Sequence, residues 1–321
     1  MQFLEKQRGL SLIELMIGIL LSAVLLLGVL QIFDANRRTH SLQESLSRIQ
    51  ESGRMATDML SKELRGAAFD GCVVDPTLLV NNADTIFDGD FVSGTDNVTG
   101  TVTLGGKTVE PGTDVLRVRG ALDACGGEGR IAANISGTQV EIEGSCNGIK
   151  AGDYVMVASC RAGDITTVAS LVGSPTILTV DDTFSSLYDA DAAIYRPYVR
   201  DYFISRDTTT NLPGLFVREN EASSAQELIP GVEDLQVIYG RDAGGGDDIV
   251  DIWGAPPANA VESGQVAAIR IQLLVAADER SGAKQLKYTR LGTTVQISAP
   301  DDGRLRKTYS ALTKLRNRGS R

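Results

Sequence analysis

Residues 8–33 read RGLSLIELMIGILLSAVLLLGVLQIF. No side chain from Leu15 to Phe33 is charged, and the apolar character begins at Leu10. At about 1.5 Å rise per residue, a helix over 10–33 is roughly 36 Å long, more than the ~30 Å hydrocarbon core of a bilayer. The stretch therefore reads as a membrane span. Upstream, Lys6 and Arg8 suit the basic region of a secretory signal, but the apolar run ends in Gln31, Ile32, Phe33 and Asp34. Signal cleavage needs small residues there. Glu14 is the anomaly, because a charge inside a span costs on the order of 2.5–3.5 kcal/mol at mid-helix and less near the interface. It calls for a cationic partner.

The helical pattern continues past the membrane. Leu42, Leu46, Ile49, Ala56, Leu60, Leu64 and Ala67 recur at helical spacing, with charged and amide side chains on the other faces. The first proline is Pro76, so nothing obligatorily breaks a helix from about Leu10 to about Arg65. Gly18, Gly28 and Gly53 are only weak points. Residues 10–33 suit lipid, and residues 34–68 have one apolar face suited to packing on a sheet.

After Cys72 short β-like runs alternate with Gly, Asp, Asn and Pro. They fall at 114–119 (DVLRVR), 139–143 (QVEIE), 154–158 (YVMVA), 177–180, 199–205, 214–218, 234–239 (DLQVIY) and 268–275 (AIRIQLLV). The fold class is α+β, with a mainly antiparallel head over 69–321 that leaves room for an inserted subdomain near 75–185. The tail is open between two periods: Leu305, Tyr309 and Leu312 fit a helix, while every second residue from Leu305 to Leu315 fits one face of a strand.

The chain has 321 residues, a formal net charge of −10 and a pI near 4.8, which argues against general affinity for nucleic acid. The charge is uneven, since residues 303–321 hold seven basic residues and no acid. The single histidine, His40, removes most His-dependent catalysis and His-ligated metal sites. It lies just past the span beside Arg37 and Arg38, a solvated juxtamembrane position. No GxSxG, HExxH or Walker A pattern is present, and the Gly126–Gly129 run reads as a turn. No cofactor and no enzyme activity are expected. The weak metal candidate is a loop whose Asp242, Asp247, Asp248 and Asp251 could offer oxygen ligands to Ca²⁺ without EF-hand spacing; a solvated acidic loop is the simpler reading. Four cysteines without CxxC spacing suggest two disulfides in an oxidising compartment. Of the three pairings, Cys72 with Cys125 and Cys146 with Cys160 closes short loops and is the expectation.

The order Arg8-Gly9-Leu10-Ser11-Leu12-Ile13-Glu14 resembles the processing signal of type IV prepilins and pseudopilins: a short basic leader, Gly before the cut, and Glu as the fifth mature residue of an apolar helix. The resemblance implies that prepilin peptidase removes residues 1–9, cutting between Gly9 and Leu10 on the cytoplasmic face, and methylates the amine of Leu10. The new cationic N-terminus lies one helical turn from Glu14, or reaches Glu14 of an adjacent subunit. Most major pilins begin with Phe where this chain has Leu10, which bears on major-subunit identity more than on processing. Lys6 and Arg8 before the span are matched by Arg37 and Arg38 after it, so orientation rests on the motif and the cysteines.

Residues 229–239 (IPGVEDLQVIY), 266–275 (VAAIRIQLLV) and the ending RLRKTYSALTKLRNR are similar to later segments of PilW-family minor pilins and, more distantly, of the type II secretion pseudopilin J. In those relatives the tail is a strand. The resemblance is weak over 75–194. It implies a type IV pilin-like fold and a structural role: an inner-membrane precursor with a periplasmic head, later part of a surface pilus. Its implied partners are prepilin peptidase, other minor pilins, the major pilin and a tip adhesin, in a priming or tip complex. With Glu14 present, the subunit would dock beneath another and not cap the tip alone. The rival readings are a J-like secretion pseudopilin and an uncleaved, signal-anchored adhesive domain.

Overall fold

The computed structural model describes residues 11–73, 78–88, 90–127, 129–144, 146, 148–173, 175–244, 246, 247, 249–294 and 296–317. The expected leader, with Gly9 and Leu10, lies outside these residues, as does Asp248 of the acidic loop. Helix α1 runs unbroken over Leu12–Gly66, 55 residues, as the lack of proline permits. Its buried face is Ser45, Ile49, Gly53, Ala56, Leu60 and Leu64, a spacing of three and four. Leu42 and Leu46, expected on that face, stay exposed: Leu42 lies below Ser45, where the head first covers the helix, and Leu46 lies about 100° round the helix from Ser45, beside the buried stripe that runs through Ser45 and Ile49.

That face packs on an antiparallel four-stranded sheet in the order Ile252–Gly254, Val232–Arg241, Val266–Arg280, Arg304–Lys314. Alternate residues of the sheet, among them Leu235, Val237, Tyr239, Ile269, Ile271 and Leu273, meet Ile49, Ala56, Leu60 and Leu64 in one core. Burial of each large apolar side chain there contributes about 1.5–3 kcal/mol. The tail is a strand, in register Tyr309↔Leu273 and Ala311↔Ile271, so Leu312 falls on the outer face and is exposed.

Gly53 lets this strand approach the helix. A Cβ there would lie 2.2 Å from the Tyr309 ring. Gly53→Ala is therefore expected to lower stability, although alanine favours a helix interior by about 1 kcal/mol. In urea melts, Gly53→Ala combined with Tyr309→Ala should lose much less than the sum of the two single changes.

The second sheet follows the path Gln226–Pro230, Pro213–Glu219, Ala193–Arg206, Tyr154–Ala158, Gly163–Val172, Thr176–Val180, Gln139–Ile142, Ile131–Ser136. The 14-residue strand Ala193–Arg206 joins it to the helix side. One end pairs with Pro213–Glu219, its middle with Val115–Asp123, and its other end with Tyr154–Ala158. Away from α1 this sheet closes a separate core around Ile131, Val140, Ile142, Val155, Val157 and Leu178.

The disulfides correct the sequence expectation: Cys72 joins Cys160, and Cys125 joins Cys146. Cys72 is not bonded to Cys125, nor Cys146 to Cys160. The latter two do flank the strand Tyr154–Ala158, but at its opposite ends. Five extended residues span roughly 17 Å, beyond the ~7 Å Cα separation a disulfide can bridge. The turn between Tyr154–Ala158 and its partner Gly163–Val172 instead brings Cys160 to the end of α1, with Cα atoms of Cys72 and Cys160 4.3 Å apart.

Candidate assembly interface

The lower half of α1 touches nothing in the head. Every residue from Leu12 to Phe33 is exposed, and this part of the helix is long and apolar enough to cross a membrane. An apolar surface this large requires lipid or another apolar helix. Glu14 lies on it at the end of a shallow groove between the side chains of α1 itself, which continues along Leu15, Gly18, Ile19, Ser22, Ala23 and Leu26. Ser22 Oγ donates to the Gly18 carbonyl at 2.8 Å, so its hydroxyl is satisfied within the helix. Small residues at 18, 22 and 23 let a neighbouring backbone come close. Above the groove, Asp34 pairs with Arg38 at 2.8 Å.

The upper half of α1 is clamped to the head by charge as well as by packing. Glu63 accepts from Arg200 Nη1 at 2.9 and 3.0 Å, while Arg200 Nε donates to Glu219 at 2.7 Å and the guanidinium lies over the Tyr198 ring. Burial, reinforced by the nearby Glu63 charge, pushes the Tyr198 hydroxyl up to about 12. At the end of α1, Asn317 Nδ2 donates to the Ala67 carbonyl at 3.0 Å. The residues that follow the tail strand thus meet the end of the helix on which that strand packs.

The basic tail divides into inner and outer residues. The Arg306 side chain is 2% exposed and bonds two carboxylates, Glu233 at 2.6 and 2.8 Å and Asp302 at 2.6 and 2.9 Å. Lys307, Lys314 and Arg316 face solvent, and Arg318 and Arg321 lie outside the described residues. Nothing in the sequence pattern separated Arg306 from its neighbours. Only its inward partners do.

The acidic loop turns its carboxylates onto its own backbone. Asp251 Oδ2 accepts from the N–H groups of Ala243 and Gly244, Asp242 Oδ1 from Gly246, and Asp247 Oδ1 from Ile249. Among the described residues no group of three or more His, Cys, Asp or Glu side chains is placed to hold a metal. His40 is exposed beside Arg37 and Arg38.

One buried carboxylate ties the two sheets together. Asp114 accepts from the backbone N–H groups of Asn97 and Val237, and burial pushes its pKa up to about 6 against those hydrogen bonds. The folded value lies above the ordinary one, so this contribution to stability is full below about pH 4 and is lost as pH rises through 6. Relative to Asp114→Asn, the wild type should gain on the order of 2 kcal/mol between pH 7 and pH 4, read from urea unfolding at each pH.

Residues 201–317 match the family model described as type IV pilus-assembly protein W. Residues 5–30 match the prokaryotic N-terminal methylation motif, which indicates processing by prepilin peptidase and assembly with other pilins. No curated protein matches the chain. A solved type IV-like pilin from Thermus thermophilus is similar over 85% of this chain and 98% of its own, at 13% identity and a TM-score of 0.38. The first family match includes the strands that cover α1 and the second the exposed helix, and together they support a type IV pilus minor pilin of the PilW family, with a role in pilus assembly.

Proposed function

We propose that this minor pilin is cleaved between Gly9 and Leu10, methylated at Leu10, and held in the inner membrane by residues 10–33 with its head in the periplasm. It then enters a priming or tip complex of minor pilins from which the surface pilus grows. The observation that carries the reading is the exposed apolar helix with Glu14 at one end of a groove lined by small residues. A carboxylate there is costly in lipid unless neutralised, and the methylated amine of this or a neighbouring subunit supplies the charge. The work done is assembly without catalysis. A subunit that carries Glu14 can dock beneath another one, so it need not stand alone at the tip.

Glu14→Ala is expected to leave the protein made and processed but to reduce its incorporation into sheared pili, together with pilus number. Wild-type incorporation by Glu14→Ala would overturn the account of Glu14. N-terminal sequencing of the membrane-extracted chain should return methylated Leu10; an intact Met1 would favour an uncleaved anchored domain. Deleting the gene should abolish twitching motility and spare exoprotein secretion, whereas the opposite pattern would favour a J-like pseudopilin.

A further inference from the structure

α1 leaves its uncharged run at Phe33 and is first buried by the head at Ser45. Between these points roughly 17 Å of helix stands beside the head without packing into it. The turn that follows the strand Val266–Arg280 hangs down alongside, and Arg48 reaches Asp278 at 3.7 Å above it. An open cleft of about 1000 Å³ lies between them, lined by Phe33, Arg37, His40, Glu44, Glu279 and Arg280 among others. Its lower edge is the last residue of the uncharged run. When that run fills a ~30 Å hydrocarbon core, the cleft sits at the depth of the lipid headgroups.

The charges in the cleft are not all spent on one another. Arg38 is paired with Asp34, and Glu44 with Arg48. Among the described residues Arg37, Arg280 and Glu279 have no ion pair, leaving two guanidinium groups and one carboxylate open to a ligand. A guanidinium fork suits phosphate oxygens, and a carboxylate suits an ammonium group.

We propose that the cleft holds the headgroup of an amine-bearing, zwitterionic phospholipid from the leaflet facing the head. The phosphate lies between Arg37 and Arg280, the ammonium group at Glu279, and the first acyl carbons against Phe33. A purely anionic headgroup satisfies the arginines but leaves Glu279 facing like charge. The bound lipid sets the depth at which the head rides on the membrane, and it must be released when the subunit moves from the membrane into a filament.

The proposal rests on α1 being a membrane anchor, and the test separates the two. The full chain is extracted from membranes in mild detergent and examined by native mass spectrometry with added phosphatidylethanolamine, phosphatidylglycerol or inorganic phosphate. One phosphatidylethanolamine should be retained in preference to phosphatidylglycerol, and inorganic phosphate should not displace it. Arg37→Gln combined with Arg280→Gln should weaken retention roughly a hundredfold or more, the loss of at least one charge-assisted hydrogen bond from each arginine at about tenfold apiece, with an unchanged melting temperature. Equal retention by the double variant, equal retention of phosphatidylglycerol, or displacement by phosphate would overturn the lipid site while leaving the anchor intact. Protein that fractionates as soluble without detergent would overturn the anchor and the lipid site with it.

Discussion

Replacing Cys72 and Cys160 together by serine is expected to lower the unfolding free energy by about 4–5 kcal/mol. The bond closes a loop of 88 residues, so its removal returns a large chain entropy to the unfolded state. It also frees the end of α1 from the turn between Tyr154–Ala158 and Gly163–Val172, the place where the helix meets the second sheet. The Cys125–Cys146 bond closes only 21 residues, and its removal should cost about 3 kcal/mol. Urea unfolding of the detergent-solubilised chain without reductant gives both values. A larger loss from Cys125→Ser/Cys146→Ser than from the first pair would contradict the ranking. Non-reducing peptide mapping should recover Cys72 linked to Cys160, and a Cys72–Cys125 peptide would refute the connectivity itself.

Arg306→Ala is the second large effect, at about 3 kcal/mol. The guanidinium is almost wholly buried and holds Glu233 from one strand of the helix-packing sheet and Asp302 from the turn that leads into the tail strand. Its removal leaves Glu233 without its cation and Asp302 with only Arg304 at 3.7 Å, two carboxylates close together, which is worse than losing an exposed pair. Arg306→Lys keeps the charge but not the double fork, and should recover only part of the loss. Arg306 holds the Asp302 carboxyl well below the usual carboxylate range, with the Arg304 backbone N–H adding to the effect. A depressed folded value gives stability that is present above about pH 4 and is lost as pH falls further. The difference between wild type and Arg306→Ala should therefore narrow on acidification below pH 4. A constant difference from pH 7 to pH 2 would remove Asp302 from the explanation.

What could be read without coordinates is local in origin. A run of uncharged apolar residues, the absence of proline before Pro76 and a three-to-four spacing make α1 legible over nearly its whole length. The strands at 154–158, 234–239 and 268–275 were legible for the same reason: alternation and β-branching are properties of neighbours in the chain. Glu14 stood out because one charge in an apolar run is costly wherever the helix lies. Leu42 and Leu46 are exposed, since periodicity shows neither where a partner begins to cover a helix, which decides Leu42, nor how wide the covered stripe is, which decides Leu46.

Everything that depends on two distant segments had to come from the tertiary structure. The cysteine pairing does not follow closeness in sequence, because the strand Tyr154–Ala158 holds Cys146 and Cys160 at its two ends and apart. Arg306 looked like one basic residue among seven, and Gly53 like a weak point in the helix, until Glu233 and Tyr309 were brought against them. Sequence alone thus determined the long helix, its uncharged apolar half, the β-rich head and the processing signal, all of which follow from local covalent order and solvent preference. Tertiary structure decided the disulfide connectivity, the buried ion clamp, the height at which the head takes hold of the helix and the cleft left below it, because each is a meeting of residues whose separation in the chain bears no fixed relation to their distance in the fold.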